Sequence, residues 1–325
     1  DNGLRGEIPP ELGNLEKLER LDLRGNELSG HVPKDLEKLV NLKHLRLGSK
    51  NLKYRQYSVE ELKYRVKRLK RMGKYDSFLV KLYKTNTITM DLPGLLQNMP
   101  HLESLDLHRL NLSGKIPPEV WELGELKELI LSGNQLEGEL PKEIAQLGNL
   151  NILRLDSNTL SGPIPPEIGN LTMLRTLNLG ENRFSGKIPP ELGKLVLLKT
   201  LNLAGNQLEG PIPAQLGNLA DMNNLFLSHN RLEGNFPPSI NNLRLLSKCY
   251  VAGNRLSGPI PVYLINFREF FLDIGYNCFT EPKVTESDVN FLEGMDKDWK
   301  ESQTVPPGDI KVEPLSSNSV KVSWT

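Results

Sequence analysis

The stretch Leu-Ile-Leu-Ser-Gly-Asn-Gln-Leu-Glu-Gly at 129–138 decides the fold, because closely similar stretches follow it at one fixed interval. They occupy 153–162, 177–186, 201–210 and 225–234. The asparagine of this phrase recurs every 24 residues, as Asn134, Asn158, Asn182, Asn206, Asn230 and Asn254. A constant period in the twenties indicates stacked coils, each of which buries its apolar side only against its neighbours.

Each residue type in the repeat has a physical role. Leu126, Leu129 and Leu131 fit a short strand whose leucines point inward while the residues between them face outward. Asn134 follows where the chain must turn. Its amide can both donate and accept, so the stacked asparagines are predicted to form a hydrogen-bonded ladder through the turns. Pro141 cannot donate to a strand ladder and therefore fits the irregular returning segment.

Four returning segments carry the form Leu-x-Gly-x-Ile-Pro-x-x-Leu-Gly-x-Leu with apolar replacements, at 112–126, 160–174, 184–198 and 208–222. This form resembles the plant-type leucine-rich repeat, which occurs in receptor-kinase ectodomains and in exported bacterial proteins. The resemblance implies an α/β solenoid. It would be a right-handed superhelix with a parallel β-sheet on its concave face and short turns or 3₁₀ segments behind.

The composition is that of an ordinary soluble protein. The 325 residues include 40 basic and 40 acidic residues, and 38% are hydrophobic. Length alone suggests about two domains, but a repeat array is one elongated unit whatever its length. No run approaches the ~20 apolar residues that a membrane span needs. The first residues read as the second half of a repeat, in phase with Asn26, so the sequence is expected to be a fragment without its N-terminal cap.

One unit of the array is longer and compositionally different. The asparagine positions predict a repeat of 36 residues between 50 and 86, and its segment 53–84 holds eleven Lys and Arg against three acidic residues. A capping pattern at 58–61 and apolar spacing predict a helix over about 59–72. Such a helix would present Lys63, Lys67, Lys70 and Lys74 on one face. The segment is either a weak contact for an anionic polymer or a solvated convex helix.

The chain changes character after the repeats, which we place at 1–281. Residues 270–277 are predicted to form a last strand, one residue out of phase, and 282–304 a C-terminal cap and linker. Two alternating strands follow within 305–325 and resemble the truncated start of a fibronectin type III domain. The same order of modules occurs in the exported bacterial proteins. Plant receptor ectodomains normally carry paired cysteines in their caps, and this segment lacks them, which favours the bacterial type.

The sequence offers little for catalysis, and we predict no enzyme, no cofactor and no metal site. Ser104, Asp106 and His108 lie at alternate positions of one strand. Such residues stand roughly 6.5–7 Å apart, beyond direct hydrogen-bond reach, so they are expected to be part of a polar face. The five histidines show no metal-ligand spacing. Cys249 and Cys278 are placed too far apart along the repeat to be expected as a disulfide.

The concave face is the expected binding surface. Its central stripe is predicted to run through Asp22 and Arg46 and then through the candidate ligand-binding residues Asp106, Ile130, Arg154, Asn178, Asn202, Phe226 and Tyr250. Phe226, Tyr250 and Ile130 are outward apolar residues, and aromatic and arginine side chains are frequent interface anchors. Scattered apolar side chains are also normal on a surface, so some of the stripe could serve only as solvated spacers.

Three functions remain open on this evidence. The first is a non-catalytic recognition module of an exported surface protein, which binds a protein, peptide or glycan through the concave face. The second is an accessory binding region of a secreted enzyme whose catalytic domain lies elsewhere. The third is a ligand-sensing receptor ectodomain. All three imply an extracellular or cell-surface location.

Overall fold

The computed structural model describes residues 4–48, 87–259, 271–280, 311–316 and 319–323. Within these ranges the chain forms stacked coils joined by parallel sheets, as the repeat predicts. A ten-stranded parallel sheet holds one short strand from each coil and corresponds to the predicted concave sheet. Its strands are Arg20–Asp22, His44–Arg46, Ser104–Asp106, Glu128–Ile130, Ile152–Arg154, Thr176–Asn178, Thr200–Asn202, Asn224–Phe226, Lys248–Tyr250 and Phe271–Asp273.

The core follows from the strand alternation. The middle residue is buried in each of these strands whose burial is described, and Leu129, Leu153 and Leu201 are fully buried. Successive middle residues pair in register, so Leu129 lies beside Leu153 and Leu201 beside Leu225. Further leucines and isoleucines from the returning segments join the same continuous cluster. One apolar core therefore runs along the stack, and each coil contributes a layer to it.

The predicted asparagine ladder is confirmed. In the coil of Asn206, the side-chain oxygen accepts from the Phe184 backbone N–H at 3.0 Å, and the amide nitrogen donates to the carbonyls of Leu179 and Leu203, both at 3.0 Å. The same arrangement recurs at Asn134, Asn158, Asn182, Asn230, Asn254 and Asn277. Each amide thus satisfies backbone groups of two neighbouring coils, which would otherwise be buried without partners.

A second set of parallel strands lies on the other side of each asparagine turn. One sheet of three contains Arg5–Gly6, Glu27–His31 and Thr87–Thr89. One sheet of eight contains Ser113–Lys115, Gln135–Glu139, Thr159–Pro163, Arg183–Lys187, Gln207–Gly210, Arg231–Asn235, Arg255–Pro259 and Cys278–Thr280.

The returning segments are short 3₁₀ helices, as predicted. They span Pro10–Asn14, Lys34–Lys38, Pro118–Glu122, Lys142–Gln146, Pro166–Asn170, Pro190–Lys194, Ala214–Asn218 and Pro238–Asn242. A proline precedes each of them in extended conformation, which fits its fixed φ and missing N–H. One coil instead carries an α-helix, Leu92–Gln97, whose N-cap Asp91 accepts from the Gly94 N–H at 3.4 Å.

The longer unit differs from its prediction. We expected a repeat of 36 residues with its own place in the stack, but strand His44–Arg46 pairs directly with Ser104–Asp106. Paired strands here are 60 positions apart, whereas the next pair is 24 apart, so 36 residues are an insertion between two adjacent coils. Counting asparagine positions could not show this, because an extended repeat and an insertion give the same spacing. The predicted helix at 59–72 lies outside the described residues.

The C-terminal end is partly confirmed. The last strand is Phe271–Asp273, and Asn277 takes its place in the ladder despite the missing residue. Lys311–Ser316 and Ser319–Ser323 pair as an antiparallel hairpin. The fibronectin-type assignment of this hairpin, the domain boundaries at 281 and 304 and the right-handed course of the superhelix stay predictions. The predicted cap and linker, 282–304, lie outside the described residues.

Candidate functional site

The outward-facing third residues of the ten strands form one continuous row, called the central row below. Strand pairing aligns Asp22 with Arg46, Arg46 with Asp106 and Asn202 with Phe226, and the other strands follow in the same register. The row contains Asp22, Arg46, Asp106, Ile130, Arg154, Asn178, Asn202, Phe226, Tyr250 and Asp273. The structure therefore brings all seven candidate ligand-binding residues onto one surface.

A local turn fixes the acidic and amide side chains of the row. The side-chain oxygen of Asn178 accepts from the Gly180 N–H at 3.2 Å, and that of Asn202 accepts from the Ala204 N–H at 3.0 Å. Asp22 and Asp106 make the same contact with the residue two positions on. This is an Asx-type turn, in which a short side chain replaces a backbone acceptor. The strand sequence thus sets the side-chain direction before any ligand is present.

The first five members of the row, Asp22 to Arg154, are called the paired segment because the charges around them pair with one another. The Arg24 guanidinium donates to both carboxylate oxygens of Asp22, at 2.9 and 2.7 Å, and reaches Asp106 Oδ2 at 3.3 Å. That hydrogen bond from Arg24 lowers the pKa of Asp22 against the opposing effect of burial. Because Arg24 and Asp106 are 82 residues apart, the pair joins coils on either side of the insertion.

A second arginine bridges the next coils of the paired segment. Arg46 Nη2 donates to Glu128 Oε2 at 2.7 Å, and its Nε donates to Ser104 Oγ at 3.1 Å. Ser104 Oγ itself donates to Glu128 at 2.8 Å. Further along, Arg154 Nε lies 3.5 Å from Asp156 Oδ1. The charged side chains of this surface are therefore already paired with each other.

The expected separation of Ser104, Asp106 and His108 is wrong for one pair. His108 Nδ1 lies 2.5 Å from Asp106 Oδ1, and both side chains are almost fully buried. The strand ends at Asp106, so the chain turns and the repeat distance of an extended strand no longer applies. A Cβ at Gly48 would lie 2.3 Å from His108 Nδ1, so a glycine is needed there. Ser104 instead bonds Glu128, and no triad forms.

Asn178, Asn202, Phe226 and Tyr250 are called the open segment. The oxygens of Asn178 and Asn202 are held by their turns, and within the described chain their amide nitrogens have no hydrogen-bond partner. The rings of Phe226 and Tyr250 lie with centroids 5.1 Å apart and planes inclined at 52°, a favourable tilted geometry. This part of the row offers hydrogen-bond donors beside an aromatic surface.

Burial corrects one part of the sequence interpretation. Phe226 was expected to be an exposed outward residue, yet only 6% of it is accessible. The half-buried Tyr250 packs against it, so the pair presents mainly the tyrosine. Sequence reasoning also missed Arg24 and Glu128. Arg24 lies two positions after Asp22, and Glu128 lies two positions before Ile130. Residues two apart on a strand face the same side of the sheet, and this spacing could have identified both.

Other predicted features have simpler outcomes. Lys63, Lys67, Lys70 and Lys74 lie outside the described residues, so their binding role stays a prediction. Cys249 and Cys278 are both free thiols, and burial raises the pKa of Cys249 to about 12. In the described ranges, no group of His, Cys, Asp and Glu has the arrangement of a metal site. None of the helices described is both long and apolar enough to span a bilayer.

Comparison with known proteins supports the repeat assignment. The Leucine Rich Repeat family matches residues 17–39, 101–123, 125–147, 149–171, 173–195, 197–219 and 222–243. Receptor-like protein 41 of Arabidopsis thaliana is 32% identical over 133 residues, which are 37% of this chain and 15% of that protein. The chain therefore contains leucine-rich repeats similar to those of plant receptor-like proteins, and spans a small part of such a relative.

Solved structures agree with this assignment. The Arabidopsis receptor kinase HAESA, in complex with the peptide hormone IDA and the co-receptor SERK1, is 32% identical with a TM-score of 0.69, over 85% of this chain and 41% of HAESA. The PEPR1–AtPEP1 structure is 28% identical with a TM-score of 0.62, over 93% of this chain and 43% of that one. These similar proteins are plant receptors, so the comparisons do not support the bacterial type that the missing cysteine pair was expected to favour. The likeness to exported bacterial proteins with fibronectin modules stays a prediction.

Proposed function

We propose that this chain is the ligand-sensing part of a cell-surface receptor and binds an extended peptide across the open segment. It acts there as a non-catalytic recognition module. The proposal selects the receptor alternative over the more general recognition module predicted from the sequence, and it makes the ligand a peptide rather than a glycan. The single observation that carries it is the change along one continuous row from mutually paired charges to unengaged donors and an aromatic pair.

The ligand class is supported by the similar structures. HAESA is described with a peptide hormone and PEPR1 with AtPEP1. Both similarities cover most of this chain, so the matching region is the repeat array itself rather than another domain. The chain spans less than half of either protein, so a receptor architecture beyond the repeats is part of the proposal. The same holds for an extracellular location.

The paired segment is a poor place for such a ligand. A peptide lying over Arg46 and Glu128 would have to replace a 2.7 Å charge-assisted hydrogen bond with contacts of its own. Removing water from ion pairs that gain nothing in return is unfavourable. At Asn178 and Asn202, in contrast, a peptide carbonyl can accept from amide nitrogens that are free in the described chain. Binding there satisfies donors without breaking an existing pair.

The size of the open segment fits a short stretch of peptide. Adjacent strands are roughly 4.8 Å apart, so its four strands cover about 14 Å from the first to the last. An extended peptide rises about 3.3 Å per residue, so about four residues can contact the segment. Tyr250, at its end, offers an amphipathic ring of the kind that dominates interface energetics.

The test is a selection from a random 12-residue peptide library on the immobilised protein. Binding of the enriched peptides is then measured for wild type, Tyr250→Ala, Arg46→Ala and Leu245→Ala. Leu245 is a matched control, because it is a large apolar residue that is 54% exposed and lies outside the central row. We expect Tyr250→Ala to weaken binding about tenfold or more, which corresponds to about 1.4 kcal/mol. Arg46→Ala and Leu245→Ala should each change it less than about twofold.

Two results would overturn the proposal. One is a selection that enriches no peptide above an uncoated surface. The other is a set of peptides whose binding is weakened by Arg46→Ala and not by Tyr250→Ala, because that would move the site to the paired segment. The other readings stay predictions with their own tests. The complete gene would reveal the catalytic domain of a secreted enzyme, and heparin binding at low salt would reveal an anionic-polymer site at the four lysines.

A further inference from the structure

A second row of residues runs beside the central row, where the chain enters each strand, and is called the entry row below. Each member lies three positions before a residue of the central row. The backbone N–H of each member donates to the carbonyl of the member before it, at 2.8 or 2.9 Å, so the row is continuous across the coils. Its members are Glu19, Lys43, Glu103, Lys127, Asn151, Arg175, Lys199, Asn223 and Ser247.

The first four members of the entry row alternate in charge and pair with one another. Lys43 Nζ lies 3.2 Å from Glu19 Oε1, and Lys127 Nζ lies 2.9 Å from Glu103 Oε2. The hydrogen bond from Lys127 lowers the pKa of Glu103 below its ordinary value. Side chains of adjacent members therefore extend far enough along this edge to meet, and each lysine there has a carboxylate beside it.

The alternation stops at the open segment, where two cations become neighbours. The Lys199 N–H donates to the Arg175 carbonyl at 2.8 Å, so the two residues lie side by side on adjacent coils. Both are exposed, and the members that flank them, Asn151 and Asn223, are neutral. Neither cation makes an ion pair or a side-chain hydrogen bond within the described chain. Like charges at neighbouring strand positions repel each other, so this pair gains from a nearby anion.

The charge around the two cations has the same sign. The eight residues that end on each member of the open segment are 171–178, 195–202, 219–226 and 243–250, and they contain the cations Arg175, Lys199, Arg244 and Lys248 against one acid, Asp221. The five equivalent spans of the paired segment hold six Lys and Arg and seven acidic residues. Glu181 lies on the other side of the central row, three positions after Asn178. An anion over the open segment is therefore attracted toward the entry row.

The two cations are within reach of a ligand on the open segment. They lie beside its first two strands, each roughly 10 Å along the strand from the central row. The surface between carries the short side chains of Thr176 and Thr200, which are paired in register. A peptide side chain that points along the strands toward their first residues can therefore approach both cations.

We propose that Arg175 and Lys199 form a subsite for an aspartate or glutamate side chain of the bound peptide. The inference rests on the proposed peptide-binding function and names one feature of the peptide. The planar guanidinium of Arg175 can donate two parallel hydrogen bonds to a carboxylate. The Lys199 ammonium adds a second positive charge beside it, and the carboxylate reduces the repulsion between the two cations.

Other groups of the peptide fit this subsite less well. The peptide runs across the strands along the central row, so its ends lie along the row, whereas its side chains point to either side of it. An acidic side chain is therefore better placed to reach the entry row than the C-terminal carboxylate. A lysine or arginine side chain would be repelled by the two cations. A neutral side chain would leave the repulsion between them unchanged.

The experiment compares three peptide sub-libraries with amidated C-termini that differ only at one fixed central residue: glutamate, glutamine or lysine. A fourth carries glutamine and a free C-terminal carboxylate. Retention is measured on wild type, on the double variant Arg175→Gln, Lys199→Gln and on the control Arg183→Gln, Lys187→Gln. The control also removes one exposed arginine and one exposed lysine, from the strand Arg183–Lys187 of the second sheet. Equal thermal midpoints of the three proteins verify that each variant is folded.

At 0.1 M salt we expect wild type and the control to retain the glutamate sub-library about fivefold better than the glutamine one, and the lysine one least. This ratio should fall to within about twofold of one on the double variant Arg175→Gln, Lys199→Gln. It should also fall on wild type at 1 M salt, where the Debye length shrinks from about 10 Å to about 3 Å.

Three results would overturn the subsite but leave peptide binding intact. The first is equal retention of glutamate and glutamine on wild type. The second is a glutamate preference that survives in the double variant, because the carboxylate would then bind elsewhere. The third is a preference for the free C-terminus without one for glutamate, which would assign the cations to the end of the peptide. Failure of every sub-library to bind would reject the proposed function itself.

Discussion

The paired and open segments of the central row share one backbone but use it differently. Both consist of three-residue strands with the same parallel register and a buried middle residue, which is a leucine in every strand except that of Cys249. In the paired segment, Arg24 and Arg46 each reach across a neighbouring coil to a carboxylate, Asp106 or Glu128. In the open segment, the turns hold the side-chain oxygens of Asn178 and Asn202, and their amide nitrogens have no hydrogen-bond partner in the described chain.

The difference shows that the inward residues of the repeat stabilise the stack, whereas the outward residues determine what its surface can bind. The inward leucines and the asparagines are set by the stack and cannot vary without cost. The outward positions are unconstrained by it, so one part of the row can tie adjacent coils together while another is left available for binding. The paired segment flanks the 36-residue insertion, where coils that are distant in sequence must be held side by side. The ion pairs of Arg24 and Arg46 therefore lie next to the insertion that interrupts the array.

The largest expected effect tests whether the two segments share a core. Leu129→Ala and Leu201→Ala remove equivalent, fully buried side chains from the paired and open segments. Each should lower the free energy of unfolding by roughly 2–5 kcal/mol, the range for a buried leucine that leaves a cavity. Urea titration followed by circular dichroism measures both variants, with exposed Leu245→Ala as the control. If one of the two cost less than about 0.5 kcal/mol, the inward register of its segment would be wrong.

A smaller effect is expected in the asparagine ladder. Asn134→Ala and Asn206→Ala each remove hydrogen bonds to buried backbone groups of two coils. Leaving these groups unsatisfied should destabilise the protein by about 1–3 kcal/mol in either segment. Gln207→Ala, next to Asn206 but exposed, should change stability by less than about 0.5 kcal/mol. If only one of the two variants lowered the free energy of unfolding, the ladder would stabilise one segment and not the other, and the prediction would be wrong.

The sequence predicted the fold better than the site, and the reason lies in periodicity. The 24-residue period fixed the leucine positions and the register of the central row, because every coil repeats the same contacts. It did not predict that Asn277, one residue out of phase, also joins the asparagine ladder, which the structure shows. The period did not predict the insertion, because the spacing of asparagines in the sequence does not show which coils are adjacent in the stack.

Site features depend on side chains that the period does not constrain. The Asp106–His108 contact arises because the strand ends at Asp106 and the chain turns, with Gly48 leaving room beside it. The burial of Phe226 arises from the neighbouring Tyr250 ring. The Ser228 hydroxyl has no partner in the described chain, because Ala252 occupies the position where Asp156 accepts from the equivalent Ser132. Each of these follows from which particular residues become neighbours across 22 to 60 positions of sequence, which a single-repeat pattern does not specify.

The smallest expected effect is on the pH dependence of stability, which should have opposite directions for an acidic residue in each of the two segments. In the paired segment, the hydrogen bond from Arg24 lowers the pKa of Asp22 below its ordinary value of 3.8. A lowered carboxyl pKa contributes stability that is present above pH 3.8 and is lost as the pH falls through the folded-state value. Asp22→Asn should therefore destabilise the protein near pH 6, by no more than about 1 kcal/mol for so exposed a pair, and this loss should shrink in acid.

Beside the open segment, three positions after Asn178, burial raises the pKa of Glu181 above its ordinary value of 4.5, and the nearby His229 only partly opposes this. A raised carboxyl pKa contributes stability that is full below pH 4.5 and is lost as the pH rises through the folded-state value. Glu181→Gln should therefore stabilise the protein slightly at pH 7, by less than about 1 kcal/mol, and have no effect near pH 3. Urea titrations of both variants and wild type between pH 3 and 7 measure these trends. If both variants changed stability in the same direction with pH, the lowered pKa of Asp22 or the raised pKa of Glu181 would be wrong, and the contrast between the two segments would fail.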